Sequence, residues 1–140
     1  MAEALKGTCL CGAVRITARA HKHAVSACHC SLCRHWTGSA LWCIESPADA
    51  VSVEGPVRRY RSSSFAERAW CETCGSHLWI RTDGDAYDLV PGLFEGARDI
   101  PLDREVYADE AMASVALAGD HARVSRAEYE ARNQFVEDTG

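Results

Sequence analysis

The sequence predicts a mainly β protein, and three observations carry that prediction. Apolar and polar residues alternate with a period of two over much of the first two thirds of the chain. Turn-forming residues break the alternation at short intervals. The resulting strands follow one another too closely for βαβ units, so antiparallel sheets are expected.

The elements justify themselves in order. Val14, Ile16 and Ala18 alternate with Arg15, Thr17 and Arg19, a strand with one wet face. Leu41-Trp42-Cys43-Ile44 is an apolar run of strand length. Val51 and Val53 repeat the alternation until Gly55-Pro56 ends it. Val57 to Arg61 and Phe65 to Trp70 read as two strands joined across Ser62-Ser63-Ser64. Leu78 and Ile80 alternate with Trp79 and Arg81 before an Asp83-Gly84-Asp85 turn. Tyr87 to Val90 follows and stops at Pro91-Gly92. Arg104 to Tyr107 forms one more strand, and the alanine-rich Ala111 to Ala118 is helix or strand. Ser125-Arg126-Ala127-Glu128 fits a capping box, in which serine and glutamate satisfy each other's free N–H. It predicts a short terminal helix from about Arg126 to Val136, packed by Tyr129 and Phe135.

A chain of 140 residues is expected to be a single domain. Hydrophobic residues at 47% and charged ones at 25% exclude disorder, collagen and coiled coil as its main state. A net charge of -5 with no basic stripe argues against a nucleic-acid partner. The segment MAEALKGTCL lacks a basic stretch followed by an apolar one, so no export signal is visible. No apolar run approaches the ~20 residues of a membrane span. The expected location is the cytoplasm, where thiols stay reduced and grouped cysteines hold metal or do chemistry.

Of the 8 cysteines, all but Cys43 fall into three groups: Cys9-Leu10-Cys11, Cys28-His29-Cys30-Ser31-Leu32-Cys33 and Cys71-Glu72-Thr73-Cys74-Gly75. Zinc takes four ligands in a tetrahedron, and thiolates two or three residues apart can close on one ion without straining the chain. In an extended segment, Cys9 and Cys11 would project to one face as a clamp. In Cys71-x-x-Cys74-Gly75, the glycine can supply the positive φ of a tight knuckle. Two such clamps make a closed four-sulfur staple that couples folding to metal. The middle group has three sulfurs, and three protein ligands with one open position is the pattern of a catalytic zinc. Other readings of these residues are a histidine joining the middle group (His21, His23, His29 or His35), an iron–sulfur centre, or disulfides. His29 lies between two cysteines and would point away from them in an extended chain. Cys43 reads as a small buried hydrophobe.

Three stretches resemble the glutathione-dependent formaldehyde-activating family, also called the centromere protein V domain. They are Gly7-Thr8-Cys9-Leu10-Cys11-Gly12-Ala13-Val14, Cys28-His29-Cys30-Ser31-Leu32-Cys33-Arg34 and Trp70-Cys71-Glu72-Thr73-Cys74-Gly75-Ser76-His77-Leu78. The motif-bearing part runs from about residue 6 to 92, and Ser125 to Asn133 is similar to a common tail of bacterial members. The resemblance implies a β-tent fold of antiparallel sheets with two zinc ions. It assigns Cys9, Cys11, Cys71 and Cys74 to a structural zinc and Cys28, Cys30 and Cys33 to a catalytic one. The implied activity is addition of glutathione to formaldehyde, giving S-hydroxymethylglutathione, classed as a carbon–sulfur lyase reaction for the reverse direction.

The expected partners are therefore a small thiol and a small aldehyde, on a monomer or homodimer. Arg34 is the nearest candidate to hold a carboxylate of the thiol cofactor, since its forked guanidinium suits carboxylates. Arg58, Arg59 and Arg61 form a second basic edge. Two other functions compete. One is a non-catalytic, zinc-stapled binding module. The other is a redox enzyme similar to the methionine sulfoxide reductases, which requires an exposed, reactive Cys43.

Overall fold

The computed structural model describes residues 3–137; residues 1–2, where the segment read for an export signal begins, and 138–140 lie outside them. In chain order the elements are β1 (Leu5–Thr8), β2 (Arg15–Ala18), β3 (Val25–Cys28), α1 (Ser31–Thr37), β4 (Leu41–Ser46), β5 (Val51–Glu54), β6 (Val57–Arg61), β7 (Ala66–Cys71), β8 (His77–Thr82), β9 (Tyr87–Leu89), β10 (Leu102–Val106), β11 (Ala122–Val124) and α2 (Arg126–Glu130). Two compact units arise, one from residues up to 24 with 43–101, the other from 25–42 with 102 onward.

The first unit is antiparallel, as the alternation predicts. It holds a sheet of order β1-β2-β5 and a run of order β4-β9-β8-β7-β6. In β2, Ile16 and Ala18 are buried while Arg15 and Thr17 are exposed, the wet-face pattern of a half-buried strand. In β8 the pattern departs from alternation, because Leu78 and Trp79 are both buried. Neighbouring strands cover the face that Trp79 would otherwise offer to water. Its Nε1–H donates to Glu67 Oε2 at 3.0 Å, Tyr87 meets it edge-on at 5.1 Å, and the Arg59 guanidinium lies over its ring. Ile44, Leu78 and Leu89 are closed off from solvent, and burial of such a side chain contributes roughly 1.5–3 kcal/mol.

The second unit is parallel where antiparallel pairing was expected. β10 runs parallel to both β3 and β11. Such a pair needs a long crossover, and the whole stretch from Ser31 to Pro101 serves as one between β3 and β10. α1 was not foreseen. It starts three residues after the end of β3, with Cys30 as its N-cap and Gly38 at φ 95° closing its C-terminus.

α2 does carry the expected capping box: Glu128 N–H donates to Ser125 Oγ at 3.2 Å, and Ser125 N–H to Glu128 Oε1 at 3.0 Å. It ends at Glu130, short of Val136, because Arg132, Asn133 and Gln134 offer no apolar face to bury. Phe135 is accordingly exposed, while Tyr129 sits 5.2 Å from the Tyr107 ring. Residues 111–118 form neither helix nor strand and are largely exposed. Half of this segment is alanine, and with Met112 exposed it keeps too little apolar surface to dock either element.

Gly55 allows β5 to turn into β6. Its φ is 112°, and a Cβ there would lie 2.1 Å from the carbonyl oxygen of Ala13. Gly55→Ala is therefore expected to destabilise the protein by about 1–3 kcal/mol. Urea unfolding of the purified variant checks this; an unchanged midpoint would contradict it.

Candidate metal centres

The four-cysteine group is assembled entirely within the first unit. Cys9 and Cys11 do not sit on an extended strand. They flank a tight turn after β1, closed by Gly12 N–H to the Cys9 carbonyl at 3.1 Å and Cys9 N–H to the Val14 carbonyl at 3.1 Å. The turn still brings both sulfurs to one side and leaves Leu10 almost fully exposed at its tip. Cys71 ends β7, and a turn through Gly75, at φ 78°, returns the chain to β8. Gly75 N–H donates to the Cys71 carbonyl at 2.9 Å, so the knuckle expected of Cys71-x-x-Cys74-Gly75 forms.

The four Sγ atoms lie within 4.8 Å of one another. Cys9 Sγ is 3.6 Å from Cys11 Sγ, and Cys11 Sγ is 3.8 Å from Cys71 Sγ. A tetrahedron with zinc–sulfur bonds of ~2.3 Å has edges of ~3.8 Å, so the sulfurs stand at the spacing zinc requires. Their titration is split. Hydrogen bonds from the Ser76 side chain and backbone draw the Cys74 thiol down to about 5. At Cys11, the Ala13 N–H favours the thiolate, but burial and the neighbouring cysteine sulfurs prevail and push the thiol up to about 11. Burial raises Cys9, yet the Val14 N–H at 3.3 Å and bonds with Cys11 and Cys71 bring it below its ordinary value. Sulfurs this close cannot all ionise together unless a cation joins them.

The three-cysteine group lies in the second unit, at the junction of β3 and α1. Cys28 is the last residue of β3, Cys30 caps α1 with its sulfur accepting from Cys33 N–H at 3.4 Å, and Cys33 is buried in the first helical turn. Their Sγ atoms also fall within 4.8 Å of one another. Contacts with Cys30 and Cys33, reinforced by burial, raise the Cys28 thiol far above its usual range. Among the described residues no histidine or carboxylate joins this group at the same reach. His21, His23 and His35 are exposed, and His35 Nδ1 is 2.7 Å from the Ser31 carbonyl. No cysteine is paired in a disulfide. Cys43 is buried, contrary to what the redox reading requires.

Arg34 lies beside the trio but is already engaged. Its Nε–H donates to the His29 carbonyl at 2.9 Å, and its head approaches Glu110 at 3.8 Å while keeping partial exposure. Arg58, Arg59 and Arg61 belong to the first unit, away in sequence from the trio, and pair with Glu72, Glu67 and Asp83. Sequence reasoning missed Glu105 and His121, since no local spacing links them to His29. It also missed Tyr107, held at φ 54°, the one non-glycine with positive φ among the described residues. Tyr107 donates its O–H to Glu130 at 2.9 Å, and Glu130 and Glu110 both hold Arg126.

Comparison with known proteins follows the same outline. The family described as "Glutathione-dependent formaldehyde-activating enzyme" matches residues 4–110. An uncharacterized lyase of Schizosaccharomyces pombe is 38% identical over 110 residues, covering 75% of this chain and 79% of that protein. A Halomonas elongata protein, provisionally named as a glutathione-dependent formaldehyde-activating enzyme, is 34% identical over 86 residues, covering 54% of this chain and 55% of its own. A crystal structure of a Rhodobacter sphaeroides protein shares the fold, with a TM-score of 0.58 at 23% identity over 70% of this chain and 99% of that one. No helix among the described residues is long and apolar enough to cross a membrane.

The split titration of the four-cysteine group has a direct readout. In the metal-free chain, alkylation of Cys74 is expected to level off by neutral pH, because its thiol ionises at about 5. Alkylation of Cys11 should keep accelerating toward its value of about 11. Peptide mapping by mass spectrometry after iodoacetamide pulses checks this; matching profiles at the two cysteines would contradict it.

Proposed function

The chain belongs to the glutathione-dependent formaldehyde-activating enzyme family, and we propose that it joins a small thiol to a small aldehyde at the Cys28–Cys30–Cys33 centre. The observation that carries this reading is the three-sulfur donor set itself. It gathers three soft donors on one side, and among the described residues nothing else of metal-binding type stands within the same reach. The donor set suits zinc, for which thiolates are strong ligands and three protein ligands are the catalytic number. Bound there, zinc would supply Lewis-acid stabilisation of a thiolate or of a developing alkoxide near neutral pH.

The reaction asks little else of the protein. The thiol sulfur forms a bond to the carbonyl carbon, the C=O π bond opens, and the thiol proton ends on the oxygen. No electrons enter or leave, so no oxidant or reductant is needed. The chain's task is to hold the two reactants in line and to stabilise charge on sulfur or oxygen. Arg34 supports recognition of a carboxylate-bearing thiol such as glutathione. Its Nε is committed to the His29 carbonyl, which fixes the plane of the guanidinium, while its partly exposed head, held only by a long 3.8 Å contact with Glu110, would fork onto a carboxylate. The four-cysteine centre has a different task in this reading. Its four sulfurs complete a tetrahedron and leave no position for substrate, so it acts as a staple within the first unit.

Cys30→Ser tests the assignment. It is expected to remove one zinc per chain and abolish thiol–aldehyde addition, with the zinc of the four-cysteine centre retained. In the same assay, Arg34→Ala should weaken glutathione more than a thiol without carboxylates. Metal analysis beside a formaldehyde-consumption assay reads all three; full activity in Cys30→Ser would overturn the proposal.

A further inference from the structure

Behind the three-cysteine centre lies a buried polar cluster that the chemistry above does not use. Burial alternates from Val25 to Cys30, so Ala27 and His29 occupy the face of β3 opposite to Cys28 and Cys30. The parallel register places Glu105 beside Ala27 and Arg123 beside Glu105. His121, two residues before Arg123, falls on the same face. The outcome is one carboxylate shared by two imidazoles. Glu105 Oε1 lies 2.7 Å from His29 Nε2, Glu105 Oε2 bonds His121 Nε2, and Arg123 Nε stands 3.5 Å from the same oxygen. The side chains of His29 and His121 are essentially closed to solvent, and Glu105 nearly so.

A carboxylate only accepts hydrogen bonds, so both imidazoles donate through Nε2–H. Burial pushes the Glu105 carboxyl up, but the bonds from His121 and His29 outweigh it and hold it below its usual range. Burying such a group is costly, and an apolar trio of similar volume would fill the space with less penalty. The cluster therefore calls for a role other than stability.

The anchoring of His29 identifies that role. Its N–H donates to the Val106 carbonyl at 3.1 Å, its carbonyl accepts from Arg34 Nε at 2.9 Å, and its ring is fixed by Glu105. Three restraints thus converge on the one residue between Cys28 and Cys30, whose backbone angles set the distance between those sulfurs. We propose that His29, clamped by Glu105 and His121, is a positioning residue that sets the bite of the Cys28–Cys30–Cys33 centre from behind the sheet. His29 is not itself a ligand, since its ring nitrogens do not join the group of sulfurs. The proposal rests on the reading of that group as a metal centre.

The test compares zinc-loaded wild type with His29→Leu, His29→Gln and Glu105→Gln. Glutamine at position 29 can offer an amide N–H close to where Nε2–H donates, whereas leucine cannot. Zinc release to a chromophoric chelator is followed in time, and the cobalt-substituted proteins are compared by absorption. Wild type is expected to release zinc in two phases, a fast one from the three-cysteine centre and a slow one from the four-cysteine centre. His29→Leu and Glu105→Gln should speed the fast phase roughly 10–100-fold, the usual effect of losing a group that orients metal ligands. They should also shift the cobalt d–d bands of that centre. His29→Gln should restore most of both properties. The slow phase should be the same in all four proteins, which shows that the first unit is folded. Wild-type release rates and spectra in His29→Leu and Glu105→Gln would overturn this proposal alone. Equal loss in His29→Leu and His29→Gln would also overturn it, because the donor to Glu105 would then be irrelevant. A single release phase in wild type would overturn both this proposal and the metal reading beneath it.

Discussion

Crowded sulfur is the constraint on which this protein depends. The chain brings seven cysteine sulfurs into two groups, each with every member within 4.8 Å of the others. At such distances neighbouring thiolates repel, and the titrations separate: hydrogen bonds from Ser76 draw Cys74 down to about 5, while burial and the neighbouring sulfurs push Cys11 up to about 11. A divalent soft cation removes the conflict by bonding all members at once. With an ion bound there, folding and metal binding would be one equilibrium, in the manner of small zinc-stapled domains.

The two groups are built by different means, and the difference would suit the separate duties proposed for them. The four-cysteine group sits on two turns, each closed by its own backbone hydrogen bonds and by a glycine with positive φ, Gly12 in one and Gly75 in the other. Turns of this kind need little from the rest of the fold. The three-cysteine group sits where a strand becomes a helix. Its geometry depends on the register of β3 with β10, on the cap that Cys30 makes for α1, and on the three bonds that hold His29. A centre whose shape is imposed by its surroundings can be held three-coordinate, which an adaptable turn cannot guarantee.

What could be read from the sequence follows from the range of the forces involved. Alternation in Val14 to Ala18 and the serine-linked pair of strands from Val57 to Trp70 are local signals, and the structure contains these three strands, β2, β6 and β7, where they were expected. The capping box at Ser125 is equally local and is present. The cysteine groups were legible because metal ligands must be close in sequence to form clamps, and the pairing of the first group with the third followed from counting to four. Parallel pairing of β3 with β10 was not legible, because it joins residues more than seventy positions apart and leaves no mark on either strand. The same distance hides the link between His29 and Glu105. α1 was masked by its own cysteines, whose spacing drew attention to metal and away from helical period. The reach of α2 was overestimated because a good start signal says nothing about where apolar support ends.

Sulfur count around the metal gives the sharpest test. X-ray absorption at the zinc edge, on protein with two zincs per chain, reads the directly bonded donors before and after glutathione is added. The expected result is two zinc environments at first, one of four sulfurs and one of three sulfurs with a lighter donor, becoming all sulfur once glutathione is present. Two all-protein, four-coordinate sites that ignore glutathione, or a chain that retains only one zinc, would contradict it.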